Sequence, residues 1–243
     1  MPSRQLIVFD FDETLISVCC MRQLFKFIPS HRRPPMYDVD KKGWIDLANL
    51  TFKELHSMGY SATTLCKFIR AVPPVPGIVR LIHYLSNSRE PTYDMICISD
   101  CYRLLVNDWL ESHALSECFT GVYCNPTEIN ENGELIASSY HCVECPYSPP
   151  NLCKRHVMDA FIAMQKQLHI KYDRVVYIGN GKGDFCPVLS LRSCDLMCAR
   201  QDDVLAEKIK SSKKFKLKPK IYLWNNGLDL LAKLNENKDR IRH

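Results

Sequence analysis

The fold is constrained most by four short apolar runs, each of which ends in polar or glycine-containing residues. These runs are residues 6–11, 93–100, 174–180 and, more weakly, 220–224. Their length and apolar character are typical of buried strands. Between them, apolar residues recur at helical spacing in residues 79–88, 102–115 and 154–168. Strands that alternate with helices predict an α/β fold with a mostly parallel sheet and helices on both faces.

The stretch that follows the first predicted strand has a different pattern. It contains no convincing strand pattern but three helical ones, at 21–28, 46–59 and 63–72. We therefore predict a small helical cap at 17–72, inserted after the first strand of an α/β core. The core is predicted to span residues 1–16 and 73–235, followed by a basic tail at 236–243.

A hairpin is predicted over residues 121–135. The segment GVYCNPTEINENGEL is typical of a short strand, a turn at Asn132-Gly133 and a return strand. Asn-Gly favours tight hairpin turns because both residues tolerate positive φ angles.

The charge and apolar content argue against two kinds of partner. The formal net charge of +5 is modest, and much of it lies in two basic segments, 208–220 and 238–243. Because only Phe215 and Leu217 interleave with the first of these segments, a solvated surface is favoured over a nucleic-acid site. No apolar run approaches the roughly 20 residues of a membrane span. We therefore expect neither a nucleic-acid nor a membrane partner, and no pattern indicates an oligomeric state.

Cysteine usage and the N-terminal segment predict a cytoplasmic protein. The 13 cysteines are an odd number in a chain long enough to bury a large core without disulfides. We expect most of them to be buried or free thiols in a reducing compartment. Residues 6–9 are apolar, but this run is far shorter than the apolar region of a secretion signal and acidic residues follow it.

Polar side chains are concentrated where the predicted strands end. They are Asp10 and Asp12 after the first strand, Ser99 and Asp100 at the end of the second, and Asn180 and Asp184 after the third, together with Lys154 at a helix start. Ligands of open α/β sheets bind at the carboxyl ends of the strands, so these side chains are candidates for one site. Asp10 and Asp12 share a face of the strand, where two carboxylates repel unless a cation lies between them.

The donor types indicate a magnesium and phosphate site. The two aspartates after the first strand, with Asn180 and Asp184 as further oxygen donors, suit Mg²⁺, a hard cation that prefers oxygen ligands. The Ser99 hydroxyl and the Lys154 ammonium suit a phosphate group. We therefore predict Mg²⁺ as the cofactor and a small phosphorylated metabolite as the partner.

The loop GNGKGD at residues 179–184 admits three interpretations: a nucleotide cradle, a metal-binding loop or a tight turn. A dinucleotide cradle requires GxGxxG directly after the first strand and an acidic residue about 20 positions later. Here Asp184 replaces the third glycine, and the loop comes late in the chain. A metal-binding loop is therefore favoured.

In this order, the motifs resemble the haloacid dehalogenase superfamily of phosphotransferases: DFDET at 10–14, Ser99-Asp100, Lys154 and the GxGxxD loop. The stretches GNGKGDFCP and HCVEC…NLCK, with the helical insertion, resemble its phosphatase branch acting on phosphoethanolamine, phosphocholine or pyridoxal phosphate. The resemblance covers roughly residues 5–230. It implies a Rossmann-like core with a cap and Mg²⁺-dependent hydrolysis of small phosphomonoesters.

The resemblance also implies a role for each matched residue. Asp10 corresponds to the nucleophile that becomes an aspartyl-phosphate, and Asp12 to the general acid and base whose backbone carbonyl also binds the metal. Ser99 and Lys154 correspond to the groups that hold the transferring phosphoryl oxygens.

One position departs from the family pattern, because the family usually has aspartate where this chain has Asn180. An amide oxygen can coordinate Mg²⁺ but carries no charge, so metal affinity is expected to fall unless Asp184 compensates directly or through water. Two hypotheses follow: an active enzyme with Asn180 as a neutral ligand, and a catalytically weakened relative that binds a small molecule or phosphate without turning it over. The intact Asp10 and Asp12 favour the active enzyme.

Substrate preference is predicted from Asp100. Relatives acting on amino-alcohol phosphates place carboxylates against the substrate cation; Asp100 matches one of them, but no carboxylate occurs near Met21, where the other is expected. One acid fewer should weaken ammonium binding, which favours pyridoxal phosphate or another small phosphomonoester. A second interpretation is that Asp100 caps the helix that begins near Tyr102.

A second metal site is considered at His141, Cys142, Cys145 and Cys153. A Cys-x₂-Cys pair with a third cysteine and a histidine nearby can close a tetrahedral Zn²⁺ site. The alternative is a set of packed thiols in the loop that leads to Lys154. The adjacency of His141 and Cys142 and the lack of a second well-spaced pair favour this alternative.

Overall fold

Six parallel strands form one sheet in the computed structural model, which describes residues 3–35, 39–212 and 215–239. With a separate hairpin included, the strands in chain order are β1 (Arg4–Phe9), β2 (Thr92–Tyr102), β3 (Gly121–Asn125), β4 (Thr127–Ile129), β5 (Leu135–Ala137), β6 (Arg174–Gly179), β7 (Leu196–Arg200) and β8 (Lys220–Trp224). The sheet has the order β3-β2-β1-β6-β7-β8, and every neighbouring pair is parallel. The predicted α/β fold is therefore confirmed.

Helices connect the strands. In the described part of the chain they are α1 (Cys20–Phe25), α2 (Val39–Ser57), α3 (Ala62–Arg70), α4 (Ile78–Ser86), α5 (Arg103–Ser112), α6 (Lys154–Gln167), α7 (Phe185–Val188), α8 (Val204–Ser211) and α9 (Gly227–Asp239). The longest, α2, begins earlier than its apolar pattern predicts and is kinked at Gly43, where φ is 84°.

The central strand β1 is buried on both faces. Its residues Leu6 and Val8 belong to a hydrophobic cluster with α6, α7 and α8, whereas Ile7 and Phe9 belong to a cluster with α4, α5 and α9. This alternation follows from the period of two along a strand. Because all six strands run in the same direction, Asp10 lies at the middle of the carboxyl edge, between the ends of β2 and β6.

All four predicted strands and all six predicted helices are present, with shifted ends. Four elements of the described chain were not predicted: β7, α7, α8 and α9. The apolar residues of β7 are Leu, Met, Cys and Ala, none of which is β-branched or aromatic, so the strand signal is weak. Helix α8 overlaps the stretch at 208–220 that we interpreted as a basic surface segment.

The predicted hairpin needs a correction. The turn at Asn132-Gly133 is present, and Gly133 has the positive φ of 81° that such a turn requires. However, residues 121–125 form β3, a parallel strand of the main sheet, and the hairpin partner of β5 is β4. The side chain of Asn125 helps to hold residues 121–125 in the main sheet, because its amide donates to the Asp100 carbonyl of β2.

The insertion after β1 is helical in its described residues, as predicted, and it packs against the hairpin. The side-chain amide of Asn49 on α2 donates to the Ala137 carbonyl (3.0 Å) and accepts from the Ala137 amide (2.8 Å). Buried residues of α1, α2 and α3 belong to the same hydrophobic cluster as one face of the sheet. The division into cap, core and tail stays a prediction, and residues 240–243 of the tail lie outside the described residues.

Among the residues that the structure describes, no helix is both long enough and apolar enough to cross a membrane.

We expect Asn49→Ala to lower the free energy of unfolding by about 2 kcal/mol, because it leaves the amide and the carbonyl of Ala137 without their partner. Chemical denaturation checks this value. The control is Asn132→Ala, whose side chain is exposed at the hairpin turn and should change stability by less than about 0.5 kcal/mol. Equal stability of the two variants would contradict the role given to Asn49.

Candidate active site

A cavity of about 500 Å³ opens at the carboxyl edge of the sheet. Its walls come from the turn after β1, the end of β2, the loop before α6, the loop after β6, and residues of the helical insertion and α8. Its lining includes Asp10, Asp12, Glu13, Arg22, Trp44, Asp100, Pro146–Pro150, Lys154, Asn180, Lys182 and Lys208. The structure therefore brings most of the predicted site residues together.

Lys154 is the buried centre of the site. It is 3% exposed, and its Nζ lies 2.7 Å from Asp10 Oδ1 and 2.8 Å from Asp184 Oδ1. Burial alone would lower the pKa of Lys154, but the charges of Asp10, Asp184 and Asp100 outweigh it and raise the pKa. The ammonium is therefore charged at neutral pH and shared between two carboxylates from different strands.

Both carboxylate oxygens of Asp184 accept hydrogen bonds from groups within the protein. Its Oδ1 accepts from Lys154 and from the Tyr177 hydroxyl (2.7 Å), and its Oδ2 accepts from the backbone amides of Asn180 (3.1 Å) and Gly181 (2.9 Å). Burial opposes ionisation, but Lys154 and these hydrogen bonds lower the pKa of Asp184. Four acceptor positions are thus filled, which argues against the prediction that Asp184 binds the metal directly.

The glycine at 179 is required by this arrangement. A Cβ at Gly179 would lie 2.6 Å from the carboxyl carbon of Asp184, closer than packed atoms approach. The loop after β6 can therefore fold back over its own strand only with glycine there.

Asp10 is buried at the end of β1. Lys154 and the backbone amide of Phe11 (2.6 Å) both donate to its Oδ1, which fixes the direction in which Oδ2 points. Burial and the nearby Asp184 raise the pKa of Asp10 well above the usual range, and Lys154 opposes them.

The turn after β1 positions Asp12. The Phe11 carbonyl accepts from the amides of Thr14 (3.2 Å) and Leu15 (2.8 Å), and Glu13 has a left-handed φ of 55°. Asp12 Oδ1 accepts from the Cys20 amide (3.0 Å) at the start of α1. Burial raises the pKa of Asp12 to about 6, and this hydrogen bond opposes the shift.

Asn180 faces the same turn. Its Oδ1 accepts from the Thr14 hydroxyl at 3.3 Å, and its backbone carbonyl accepts from Leu205 at the start of α8. Asn180 is 7% exposed, so its side chain is held against the turn that contains Asp12.

The charges and donor types fit a divalent cation. The buried carboxylates of Asp10 and Asp184 and the half-buried carboxylate of Asp100 all interact with the single ammonium of Lys154. Net negative charge of this kind costs several kcal/mol to bury unless a cation offsets it. The carboxylate of Asp10, the backbone carbonyl of Asp12 and the amide oxygen of Asn180 are hard oxygen donors, and these residues border one cavity.

Ser99 and Asp100 have different environments. Ser99 is fully buried, its hydroxyl accepts from the Cys101 amide (3.2 Å), and it does not line the cavity. Asp100 does line it. The helix-capping interpretation of Asp100 is wrong, because the N-cap of α5 is Tyr102 and the Leu104 amide of its first turn donates to the Thr127 hydroxyl (3.0 Å).

Several site residues were missed by sequence reasoning. Arg22, Trp44 and Lys208 line the cavity although none belongs to a recognised motif, and Lys182 lines it although no role was assigned to it. Lys182 could have been suspected, because it lies inside the GNGKGD loop. Arg22, Trp44 and Lys208 come from the insertion and from α8, whose placement only the tertiary structure provides.

The predicted zinc ligands do not form one group. His141 Nε2 accepts from the Cys153 amide (2.8 Å), and Cys142 is exposed. Cys145 and Cys153 instead lie beside Cys186, and the three sulfurs are within 4.8 Å of one another. Although burial opposes it, hydrogen bonding from the Tyr147 amide and from neighbouring side chains lowers the pKa of Cys145 to about 7.

Solved structures share the fold. A had family hydrolase from Salmonella enterica serovar Typhi aligns with a TM-score of 0.62 at 13% identity, covering 93% of this chain and 69% of that one. A phosphoserine phosphatase, captured as a phospho-aspartyl intermediate analogue, aligns with a TM-score of 0.59 at 17% identity, covering 96% and 99%.

Curated relatives match most of the chain. The pyridoxal phosphate phosphatase PHOSPHO2 of Homo sapiens is 31% identical over 234 residues, which covers 94% of this chain and 96% of the relative. The phosphoethanolamine/phosphocholine phosphatase of Gallus gallus is 27% identical over 204 residues, covering 82% and 75%.

The sequence profile of the Putative Phosphatase family matches residues 5–237. This span includes every residue of the cavity described above, and the fold is that of haloacid dehalogenase hydrolases. The resemblance found in the sequence is thereby confirmed. The chain belongs to the Putative Phosphatase family of haloacid dehalogenase-type phosphatases and is an enzyme of the phosphomonoester hydrolase class.

Proposed function

We propose that this enzyme is a Mg²⁺-dependent phosphatase that hydrolyses small phosphomonoesters through an aspartyl-phosphate on Asp10. The observation that carries the proposal is the buried Asp10–Lys154–Asp184 arrangement at the floor of the cavity. Mg²⁺ held by Asp10, the Asp12 carbonyl and Asn180 would supply positive charge next to the phosphate. The related fold captured as a phospho-aspartyl analogue supports this intermediate.

The reaction divides between the two aspartates. The Asp10 carboxylate attacks phosphorus, the ester P–O bond breaks, and Asp12 donates its proton to the leaving alcohol. A water molecule then attacks the aspartyl-phosphate, Asp12 accepts the proton of that water, and inorganic phosphate leaves. The pKa of about 6 for Asp12 suits both steps, because protonated and ionised forms are then accessible near neutral pH. Lys154 holds the Asp10 oxygen in place and offsets the charge of the phosphoryl group.

The lining of the cavity favours a substrate other than an amino-alcohol phosphate. Asp100 is its one carboxylate from β2, and the Glu13 carboxylate is paired with Arg22, whereas Lys182 and Lys208 contribute further positive charge. Trp44 adds an aromatic surface from the insertion. These residues favour an aromatic or anionic leaving group, as in pyridoxal phosphate, over a quaternary or primary ammonium.

The activity is tested with a panel of small phosphomonoesters, assayed for released phosphate with and without Mg²⁺. We expect metal-dependent turnover by the wild type and a loss of roughly 10³-fold or more in Asp10→Asn, which lacks the nucleophile. Absence of turnover for every substrate, or turnover by Asp10→Asn equal to the wild type, would contradict the proposal.

We expect Asn180→Asp to tighten Mg²⁺ binding on the order of tenfold, because the substitution adds a negative charge at the ligand position. The measurement is the Mg²⁺ concentration for half-maximal phosphate release. Asn132→Asp adds the same charge at the exposed hairpin turn and is the matched control. An unchanged or weaker Mg²⁺ requirement in Asn180→Asp would show that residue 180 is not a ligand.

We expect Arg22→Glu to raise kcat/KM for phosphoethanolamine relative to pyridoxal phosphate by about tenfold, since it replaces a positive charge at the cavity by a negative one. The control is Lys67→Glu, an equal charge reversal at an exposed position on α3. If both variants shift the ratio equally, the effect is long-range, and the assignment of Arg22 to the substrate side fails.

A further inference from the structure

Three cysteines lie together beside the cavity and take no part in the proposed reaction. The Sγ atoms of Cys145 and Cys186 are 3.4 Å apart, and those of Cys153 and Cys186 are 3.8 Å apart. All three are free thiols from separate segments: the loop before α6, the N-cap of α6, and α7. We call Cys145, Cys153 and Cys186 the thiol cluster.

The spacing of the thiol cluster is that of ligands on one metal ion. Two thiolates bound tetrahedrally to Zn²⁺ at 2.3 Å lie about 3.8 Å apart. The separations of 3.4 and 3.8 Å, with all three sulfurs inside 4.8 Å, are close to this value. A disulfide would require two of the sulfurs to approach to about 2.05 Å and would leave the third thiol alone.

We propose that the thiol cluster binds one Zn²⁺ ion. Three sulfur ligands select a thiophilic cation of this kind over Mg²⁺, which prefers oxygen. This site differs from the one considered from the sequence: Cys186 takes part, while His141 and Cys142 do not. The His141 ring instead accepts from the Cys153 amide and so supports the backbone of a ligand.

The surroundings of the thiol cluster offer a fourth ligand to a metal ion that is bound by the three sulfurs. The Ser148 hydroxyl is buried beside the Cys145 and Cys186 sulfurs and has no nitrogen or oxygen partner among the described residues. This hydroxyl, or a water molecule bound to it, is placed to complete four-coordination. Three thiolates on Zn²⁺ leave one negative charge, which Lys208 and the N-terminal end of the 14-residue helix α6 offset.

Zinc at this position would connect the two sides of the active site. The loop at 146–150 lines the cavity directly after Cys145, Lys154 follows Cys153, and Asp184 precedes Cys186 by two residues. One ion would thus hold the cavity wall to the elements that carry Lys154 and Asp184. The site rests on the cysteines alone, so it is independent of the proposed phosphatase reaction.

The test is the metal content of chelator-treated protein, reduced with a non-thiol reductant and then supplied with Zn²⁺ in excess Mg²⁺. We expect about one tightly bound Zn²⁺ per chain in the wild type and none when Cys145, Cys153 and Cys186 are all replaced by Ser. Cys142→Ser and Cys194→Ser, at exposed cysteines, are the matched controls and should still bind one ion. Asp10→Asn should also bind one ion, which separates this site from the Mg²⁺ site.

A second measurement on the wild type does not depend on the folding of the triple variant. Co²⁺ in place of Zn²⁺ should give the intense near-ultraviolet absorption of thiolate ligands. Bound Zn²⁺ should slow alkylation of half-buried Cys145 at least tenfold while leaving exposed Cys142 and Cys194 unchanged. Failure of the reduced wild type to bind Zn²⁺, binding that survives in the triple variant, or a Co²⁺ spectrum without thiolate bands would each overturn the proposal.

Discussion

The active site depends on one buried ammonium group. Lys154 is enclosed at the first turn of α6 and is shared by Asp10 after β1 and Asp184 after β6. A buried charge left without its partner costs roughly 3–5 kcal/mol, so these three side chains stabilise the fold only as a set. Because adjacent parallel strands end at the same edge, the sheet brings the two aspartates together and α6 adds the lysine between them.

Asp184 shows why this arrangement is rigid. Each of its oxygens accepts two hydrogen bonds, and one donor, Tyr177, comes from within β6 itself. The carboxylate therefore shapes the loop that carries Asn180 while keeping Lys154 charged. Asp184 thus joins Lys154 to the loop that carries Asn180, which is the proposed metal-binding side of the site.

Much of the fold was predictable because β-branched and aromatic residues mark β1, β2, β6 and β8. The approximate location of the site followed from the polar residues at the strand ends. Three kinds of feature could not be predicted. Strand β7 lacks β-branched residues, so its strand signal is weak. Residues 121–125 join the main sheet because they pair with β2, which their local sequence pattern does not show. The residues Arg22, Trp44 and Lys208 line the cavity only because the insertion and α8 pack beside it. The four hydrogen bonds that the Asp184 carboxylate accepts could not be predicted either, because the pattern GNGKGD does not show which donors surround it.

The two hydrogen bonds between Asn49 and Ala137 have a consequence for how substrates gain access. Helix α2 belongs to the insertion that contributes Arg22 and Trp44 to the cavity, whereas the hairpin of β4 and β5 comes much later in the chain. A displacement of the insertion away from the sheet must either break this amide pair or carry the hairpin with it. The smallest body that can swing aside without losing these bonds therefore consists of two stretches of chain whose bonded residues, Asn49 and Ala137, lie 88 positions apart in the sequence.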